Sequence, residues 1–310
     1  MMSEPLNSLP LPQLFDRLVD ASWLQTLVTA ARDEDLGDRG DITSNVALAA
    51  DRAGQAWFGA RRAGVVAGLP VLAHVIKAYD GELELDVLAD DGERVEAGQR
   101  LAAARGPLRA ILAAERVMLN FLTRLSGIAT LTGAYVLEVA GTAAQIYDTR
   151  KTLPGWRGLE KYAVRCGGGY CHRLGLYDAV LIKDNHIARV GIGELGDALR
   201  QAVGAARKLQ PPPNFVEVEV DRLEQLDIAL TCGPDVILLD NMEPGDLAEA
   251  VARRNRVDRS VQLEASGGLT LENLRSAAET GVDRIAVGAI THSAPALDIG
   301  LDLEAGTETE

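Results

Sequence analysis

What most constrains this chain is a recurrence of element types rather than of residues. Six short β-rich runs follow one another, each succeeded by a helical stretch. They are Gln145-Ile-Tyr147, Ala179-Val-Leu-Ile182, Phe215-Val-Glu-Val-Glu-Val220, Val236-Ile-Leu-Leu239, Val261-Gln-Leu-Glu264 and Arg284-Ile-Ala-Val287. Alternating β and α segments imply a parallel sheet with helical crossovers. Behind the runs stand residues able to do chemistry, or glycines: Arg150 and Lys151, Lys183, Asp240, Ser266 to Gly268, and Gly288. A β/α barrel gathers the C-terminal ends of its strands into one active-site face, so six such ends favour a barrel. A doubly wound sheet is the alternative. In the third run Glu217 and Glu219 share one face, and Val216, Val218 and Val220 the other. A barrel would turn the glutamates into its lumen and the valines toward the outer helices; an edge strand with a solvated glutamate face is the other reading.

The part before this pattern reads differently. Apolar spacing predicts an amphipathic helix over 16–31, then a Gly- and Asp-rich loop, Glu34-Asp-Leu-Gly-Asp-Arg-Gly-Asp-Ile-Thr-Ser44. Short strands and turns over 55–104 suggest a small α+β domain. Asp91-Gly-Glu-Arg-Val-Glu-Ala-Gly98 resembles a biotinyl-type hairpin, but without the lysine that would carry a cofactor. A long helix follows from about Leu108 to Leu125. Residues 1–11 are expected to be loose and 305–310 to be a polar tail. The expected domains are therefore 12–126 and 127–303.

With 31 basic and 45 acidic residues the net charge is −14, which argues against a nucleic-acid or anionic-membrane partner, since both need a basic face. Three cysteines, Cys166, Cys171 and Cys232, form no C-x-x-C pair. That disfavours a disulfide framework or a zinc site and suits a reducing cytoplasm. No signal peptide and no membrane-length apolar run are expected.

Against that acidic background, the segment from Asp148 to Lys183 holds seven basic and three acidic residues, +4, and three of the five lysines. A lysine head is a compact charge suited to a phosphate or carboxylate oxygen; the alternative is a solvated helix face of ion pairs. Ser266-Gly-Gly-Leu and Val287-Gly-Ala-Ile each follow a strand, where backbone N–H groups can approach a phosphate. Glu219 and Asp240 would be lumenal carboxylates at strand ends. They would suit Mg²⁺ held through water and substrate, or a cationic sugar transition state; ion pairing with the lysines is the other reading. His172 and His186 are candidate ligands or bases, His172 the better placed beside Arg173.

At these residues the chain resembles the quinolinate phosphoribosyltransferase family. The likeness runs through the Glu34–Ser44 motif, Glu115-Arg-Val-Met-Leu-Asn120, Leu125-Ser-Gly-Ile-Ala-Thr130, Asp148-Thr-Arg-Lys-Thr-Leu-Pro-Gly155 and His172-Arg-Leu-Gly-Leu176. It continues through Ile182-Lys-Asp-Asn-His186, Val216-Glu-Val-Glu-Val220, Leu239-Asp-Asn241, Glu264-Ala-Ser-Gly-Gly268 and Val287-Gly-Ala-Ile-Thr-His292. One departure is Ala265, where relatives often carry serine. The resemblance implies an α/β fold, an incomplete β/α barrel with a smaller N-terminal α/β sandwich domain, in a homodimer or higher homo-oligomer. It implies quinolinate and phosphoribosyl pyrophosphate as substrates, with release of CO₂ and pyrophosphate to leave nicotinate mononucleotide, and Mg²⁺ as cofactor. Arg150, His172, Arg173 and Lys183 would bind the quinolinate carboxylates, with Arg116 supplied by the partner subunit. Lys151 and Lys183 would serve the phosphates, Glu219 and Asp240 the ribose and metal, and Ser266, Gly267, Gly268 and Gly288 the 5-phosphate. The apolar neighbours of Arg116 (Val117, Leu119, Phe121 and Leu122) are what a helix buried against another chain would show; burial within its own subunit, with Arg116 paired to Glu115, is the plainer alternative. Cys166 and Cys171 receive no role. A related phosphoribosyltransferase acting on another base and a noncatalytic phosphosugar sensor are the rival functions.

Overall fold

A computed structural model describes residues 6–79, 82–187 and 190–304. The chain divides into two compact units. One comprises Met1–Gly133, Leu153–Gly168 and Ser293–Glu310; the other, Ala134–Thr152 and Gly169–His292.

In the first unit helices α1 (Leu11–Leu18) and α2 (Ala21–Leu36) replace the single helix expected over 16–31. The break has a local cause: Asp20 is extended, and its carboxylate accepts the Trp23 N–H at 2.8 Å, capping α2. Residues expected to be loose form a 3₁₀ turn (Leu6–Ser8) and the start of α1; residues 1–5 and 305–310 lie outside the described residues. The expected loop over 34–44 is shorter than anticipated. Its end becomes α3 (Ile42–Ala47), capped by Asp41 through the Ser44 N–H.

Strands β1 (Ala53–Ala60), β2 (Gly64–Val65), β3 (Glu84–Val87), β4 (Arg94–Val95) and β5 (Arg100–Pro107) follow, with α4 (Leu69–Ala78) between β2 and β3. β1, β3 and β5 join the last strand, β12 (Ile299–Leu303), in an antiparallel sheet of order β12-β1-β5-β3, while β2 pairs with β4. Helix α5 spans Leu108–Glu138, beyond the expected end near Leu125, because its apolar periodicity continues through Ile128 and Ala129, both fully buried. Ser126 at the expected end is itself buried and bonded to the Ala67 backbone. Helix α6 (Arg157–Cys166) also belongs to this unit.

The second unit contains the six β runs as β6 (Gln145–Tyr147), β7 (Val180–Ile182), β8 (Val216–Val220), β9 (Val236–Asp240), β10 (Gln262–Ser266) and β11 (Arg284–Ala286). Helices α7 (Asp184–Ile187), α8 (Ile192–Ala206), α9 (Leu223–Ala229), α10 (Pro244–Val257), α11 (Leu274–Ala278) and α12 (Ala289–His292) alternate with them. All strand pairs are parallel, in the order β6-β11-β10-β9-β8-β7. This is the cyclic order of a barrel with one seam, β6 to β7, left unpaired, which is the incomplete barrel expected and not a doubly wound sheet. Val216 and Val218 are fully buried and Val220 nearly so. Burying a side chain of this size contributes roughly 1.5–3 kcal/mol, enough to fix the β8 register and with it the glutamate face.

Candidate active site

Strand register decides which side chains meet at the C-terminal end of the barrel. β9 pairs with β10 so that Asp240 lies beside Ser266, and β8 pairs with β9 so that Glu219 lies beside Leu238. Above these ends is a cavity of about 350 Å³. Arg150, Lys151, His172, Arg173 and Lys183 line it together with Glu219, Asp240 and Ser266. Every basic residue expected at the site is therefore present except Arg116, which is exposed on α5 and does not line it. The lining also includes Thr149, Leu181, Leu238, Glu264 and Ala286, which the sequence did not single out. A neighbouring cavity of about 330 Å³ shares Glu219 and Asp240. The larger cavity of about 740 Å³ in the first unit is lined by Arg32, Lys77 and Arg109 but has no strand ends and no paired carboxylates.

The cations are arranged under electrostatic tension. Arg173 is buried. Burial first, and then the charge of Arg150, lower its pKa. The Arg150 Nε is itself buried without a hydrogen-bond partner among the described residues. Two crowded guanidiniums in an acidic protein are stabilised by an anion between them. Lys183 stands at the end of β7 with its Nζ 3.3 Å from Glu219 Oε2. Its own N–H donates to His186 Nδ1 at 2.8 Å, so His186 shapes the turn below Lys183.

Beneath the cations is a buried polar layer. His172 Nε2 lies 3.0 Å from Glu217 Oε2 and 3.2 Å from Glu264 Oε1, and Arg284 Nε lies 2.7 Å from Glu264 Oε2. His172 and Arg284 thus stand at close polar range to the two buried carboxylates. Arg284 also lies over the Tyr147 ring, 3.9 Å from its centroid. Burial disfavours charge on His172, but Glu264 and Glu217 outweigh it and push the pKa up to about 9. Yet Nδ1 accepts the Arg173 N–H at 2.7 Å, and a protonated Nδ1 cannot accept. Burial and the neighbouring Glu264 raise the pKa of Glu217. Glu264 stays ionised despite burial, held by His172 and the Arg284 guanidinium. His172, Glu217 and Glu264 offer atoms within 4.8 Å of one another. With Arg284 against Glu264, the positive charge there is already supplied by protein.

The glycines follow β10 and β11. Gly267 has a φ of +97°, and a Cβ there would collide with the Asn241 side chain. A Cβ on Gly288 would lie 2.9 Å from Lys151 Cδ, so glycine leaves room for the lysine stem. Asn241, also at positive φ (54°), donates from Nδ2 to Asp240 Oδ2 at 2.7 Å and from its backbone to Ser266 O at 2.8 Å. Thr291 Oγ1 donates to Lys151 O at 2.9 Å. Cys166 and Cys171 are free and buried. Asn241, Glu264 and Arg284 are the residues sequence reasoning missed. Charged residues inside two β-rich runs of an expected core were the available signal for the last two.

Comparison with known proteins gives the family. The quinolinate phosphoribosyl transferase N-terminal domain matches residues 41–126 and the C-terminal domain of the same family residues 128–302. A nicotinate-nucleotide pyrophosphorylase [carboxylating] of Mycobacterium leprae is 49% identical, covering 89% of this chain and 95% of that protein. Quinolinate phosphoribosyltransferase [decarboxylating] 1b of Nicotiana tabacum is 37% identical over 91% of this chain and 82% of its own length. The structure of the nicotinate-nucleotide pyrophosphorylase from Francisella tularensis superimposes with a TM-score of 0.84 at 36% identity, covering 97% of this chain and 99% of that one. With both domains matched in order and a full-length structural likeness to support them, the chain belongs to the quinolinate phosphoribosyltransferase family.

Proposed function

We propose that the barrel cavity joins quinolinate to the ribose of phosphoribosyl pyrophosphate and releases pyrophosphate and CO₂, leaving nicotinate mononucleotide. The observation that carries this reading is the pair of crowded guanidiniums, Arg150 and Arg173, beside Lys183 in a chain of net charge −14. They suit the two carboxylates of quinolinate. The pyridine nitrogen attacks C1 of the ribose as the C1–O bond to pyrophosphate breaks. Positive charge develops on the sugar, and Glu219 and Asp240, which line the cavity, would stabilise it. The resulting pyridinium accepts the electron pair left when the C2 carboxylate departs as CO₂, and a proton then replaces it on C2. Lys151 and Lys183 bind phosphate oxygens, while Ser266, Gly267, Gly268 and Gly288 hold the 5-phosphate. The protein's contribution is positioning and fixed charge.

Glu219 and Asp240 also suit Mg²⁺, with Glu219 shared with Lys183. Such a donor set fits an ion coordinated mostly by water and by the pyrophosphate, whose charge it would neutralise. A reducing cytoplasm is proposed as the compartment; it suits three cysteines that are all free and buried. Among the described residues no helix is long and apolar enough to cross a membrane.

Incubating the protein with quinolinate, phosphoribosyl pyrophosphate and Mg²⁺ tests the reading. Nicotinate mononucleotide, CO₂ and pyrophosphate are expected in equal amounts, whereas no product, or product from another base alone, would reject it.

A homodimer or larger homo-oligomer is also proposed, with Arg116 completing the partner's site. Exposure of Arg116 without an ion pair among the described residues supports this. Its apolar neighbours do not, contrary to expectation, because Val117, Leu119, Phe121 and Leu122 are already buried within this chain. Arg116→Ala and Lys183→Ala homodimers should each be nearly inactive. After subunit exchange the mixture should regain about a quarter of wild-type activity, since half of the dimers are mixed and each has one intact site. No recovery, with exchange confirmed by mass spectrometry, would show that Arg116 acts within its own chain.

A further inference from the structure

We infer that Thr291 is a positioning residue: its hydroxyl fastens the Lys151 backbone to the turn between β11 and α12, and so aims the Lys151 ammonium at the phosphates of phosphoribosyl pyrophosphate. The inference rests on the functional reading above, in which Lys151 and Gly288 both serve phosphate, and specifies how the lysine is held.

Lys151 needs such a tether. It is exposed and lies in a stretch, 148–153, that has no helix or strand. A lysine stem is flexible, so the direction of its charge depends on what holds the backbone and what packs on the stem. Three observations supply both. The Lys151 N–H donates to Thr149 Oγ1 at 3.0 Å. The Lys151 carbonyl accepts the Thr291 hydroxyl at 2.9 Å. The stem passes so near Gly288 that a Cβ there would lie 2.9 Å from Lys151 Cδ. Thr149 is two residues away and shapes the chain only locally. Thr291 is 140 residues away, and its hydroxyl ties Lys151 to a different element.

The geometry favours that use of the hydroxyl. Lys151 O at 2.9 Å and Gly288 O at 3.1 Å are both within its reach. Gly288 O already accepts the Thr291 and His292 N–H groups, each at 3.1 Å, which leaves the single hydroxyl proton to the nearer Lys151 O. Thr291 is fully buried, so solvent does not compete for the bond. Its place relative to the sheet gives the reason for it. Pairing of β6 with β11 extends to the Val287 N–H, which donates to Tyr147 O at 2.9 Å. Four residues further along each chain, the Thr291 hydroxyl joins the two segments again at Lys151. The lysine and the Gly288 turn are thereby held as one unit, and small displacements of such a unit cost binding and rate.

Steady-state kinetics of the whole enzyme test this. Thr291→Val removes the hydroxyl at nearly constant volume. It should raise KM for phosphoribosyl pyrophosphate about three- to tenfold, the loss expected for one neutral hydrogen bond, with KM for quinolinate within about twofold. Thr291→Ser keeps the donor and should recover most of that loss. A double-mutant cycle separates aiming from general stability. Added to Lys151→Ala, Thr291→Val should change kcat/KM less than about twofold, because no ammonium is left to aim. A fully additive loss, equal changes in both KM values, or no change in either would overturn the inference. Normal kinetics in Lys151→Ala alone would instead remove Lys151 from the functional reading, and the tether's purpose with it, so the two failures are distinguishable. If Thr291→Val does not fold, Thr291→Ala set against Thr291→Ser differs by the hydroxyl alone and gives the same comparison.

Discussion

Lys183→Ala should lower kcat/KM at least about tenfold while leaving the protein folded. A charge-assisted hydrogen bond contributes roughly 1.5–3 kcal/mol, and about 1.4 kcal/mol corresponds to a tenfold change in rate. Lys183 ends β7, lines the cavity and lies 3.3 Å from Glu219, so its loss removes a substrate contact and leaves that carboxylate uncompensated in the pocket. Stability should change little, because the lysine side chain is 46% exposed and ion pairs at such exposure contribute at most about 1 kcal/mol. Lys183→Arg should not restore full activity, since a planar fork does not reproduce a compact ammonium charge. A thermal melt within a few degrees of wild type, beside the reduced kcat/KM, is the expected pair of results. Normal kinetics in folded Lys183→Ala would remove the residue from the site.

The strand-end residues were legible in the sequence because their signal is local. Valines and glutamates alternate through 216–220, and the buried valines bear out the alternation. The polar residue or glycine behind each run marked the face. What could not be read depends on pairing between distant segments. Glu264 meets Arg284 only because β10 and β11 pair in that register, and nothing near either residue specifies it. The return of β12 to β1 joins segments some 240 residues apart and was equally hidden. Other misses were local but overruled: an unbroken apolar periodicity suggested one helix where the Asp20 cap makes two. His172 lines the cavity as expected, but its ring contacts were not legible, because one partner is its neighbour's amide and the others come from two separate strands.

The central claim is that the lumen recognises a dianion. Burial and the charge of Arg150 lower the Arg173 pKa despite the nearby carboxylates, and Lys183 adds a third cation within the same lining. Removing one substrate carboxylate should leave a buried cation without its partner. A polar site rejects an analogue that lacks the matching group far more strongly than an apolar pocket rejects a missing methylene. Nicotinate lacks the carboxylate beside the ring nitrogen but is otherwise the same molecule, so it isolates this contribution. The decisive measurement is kcat/KM for quinolinate against nicotinate, each with saturating phosphoribosyl pyrophosphate. At least about a hundredfold preference for quinolinate is predicted, from the loss of one or two charge-assisted contacts; comparable turnover of the two acids would contradict the account.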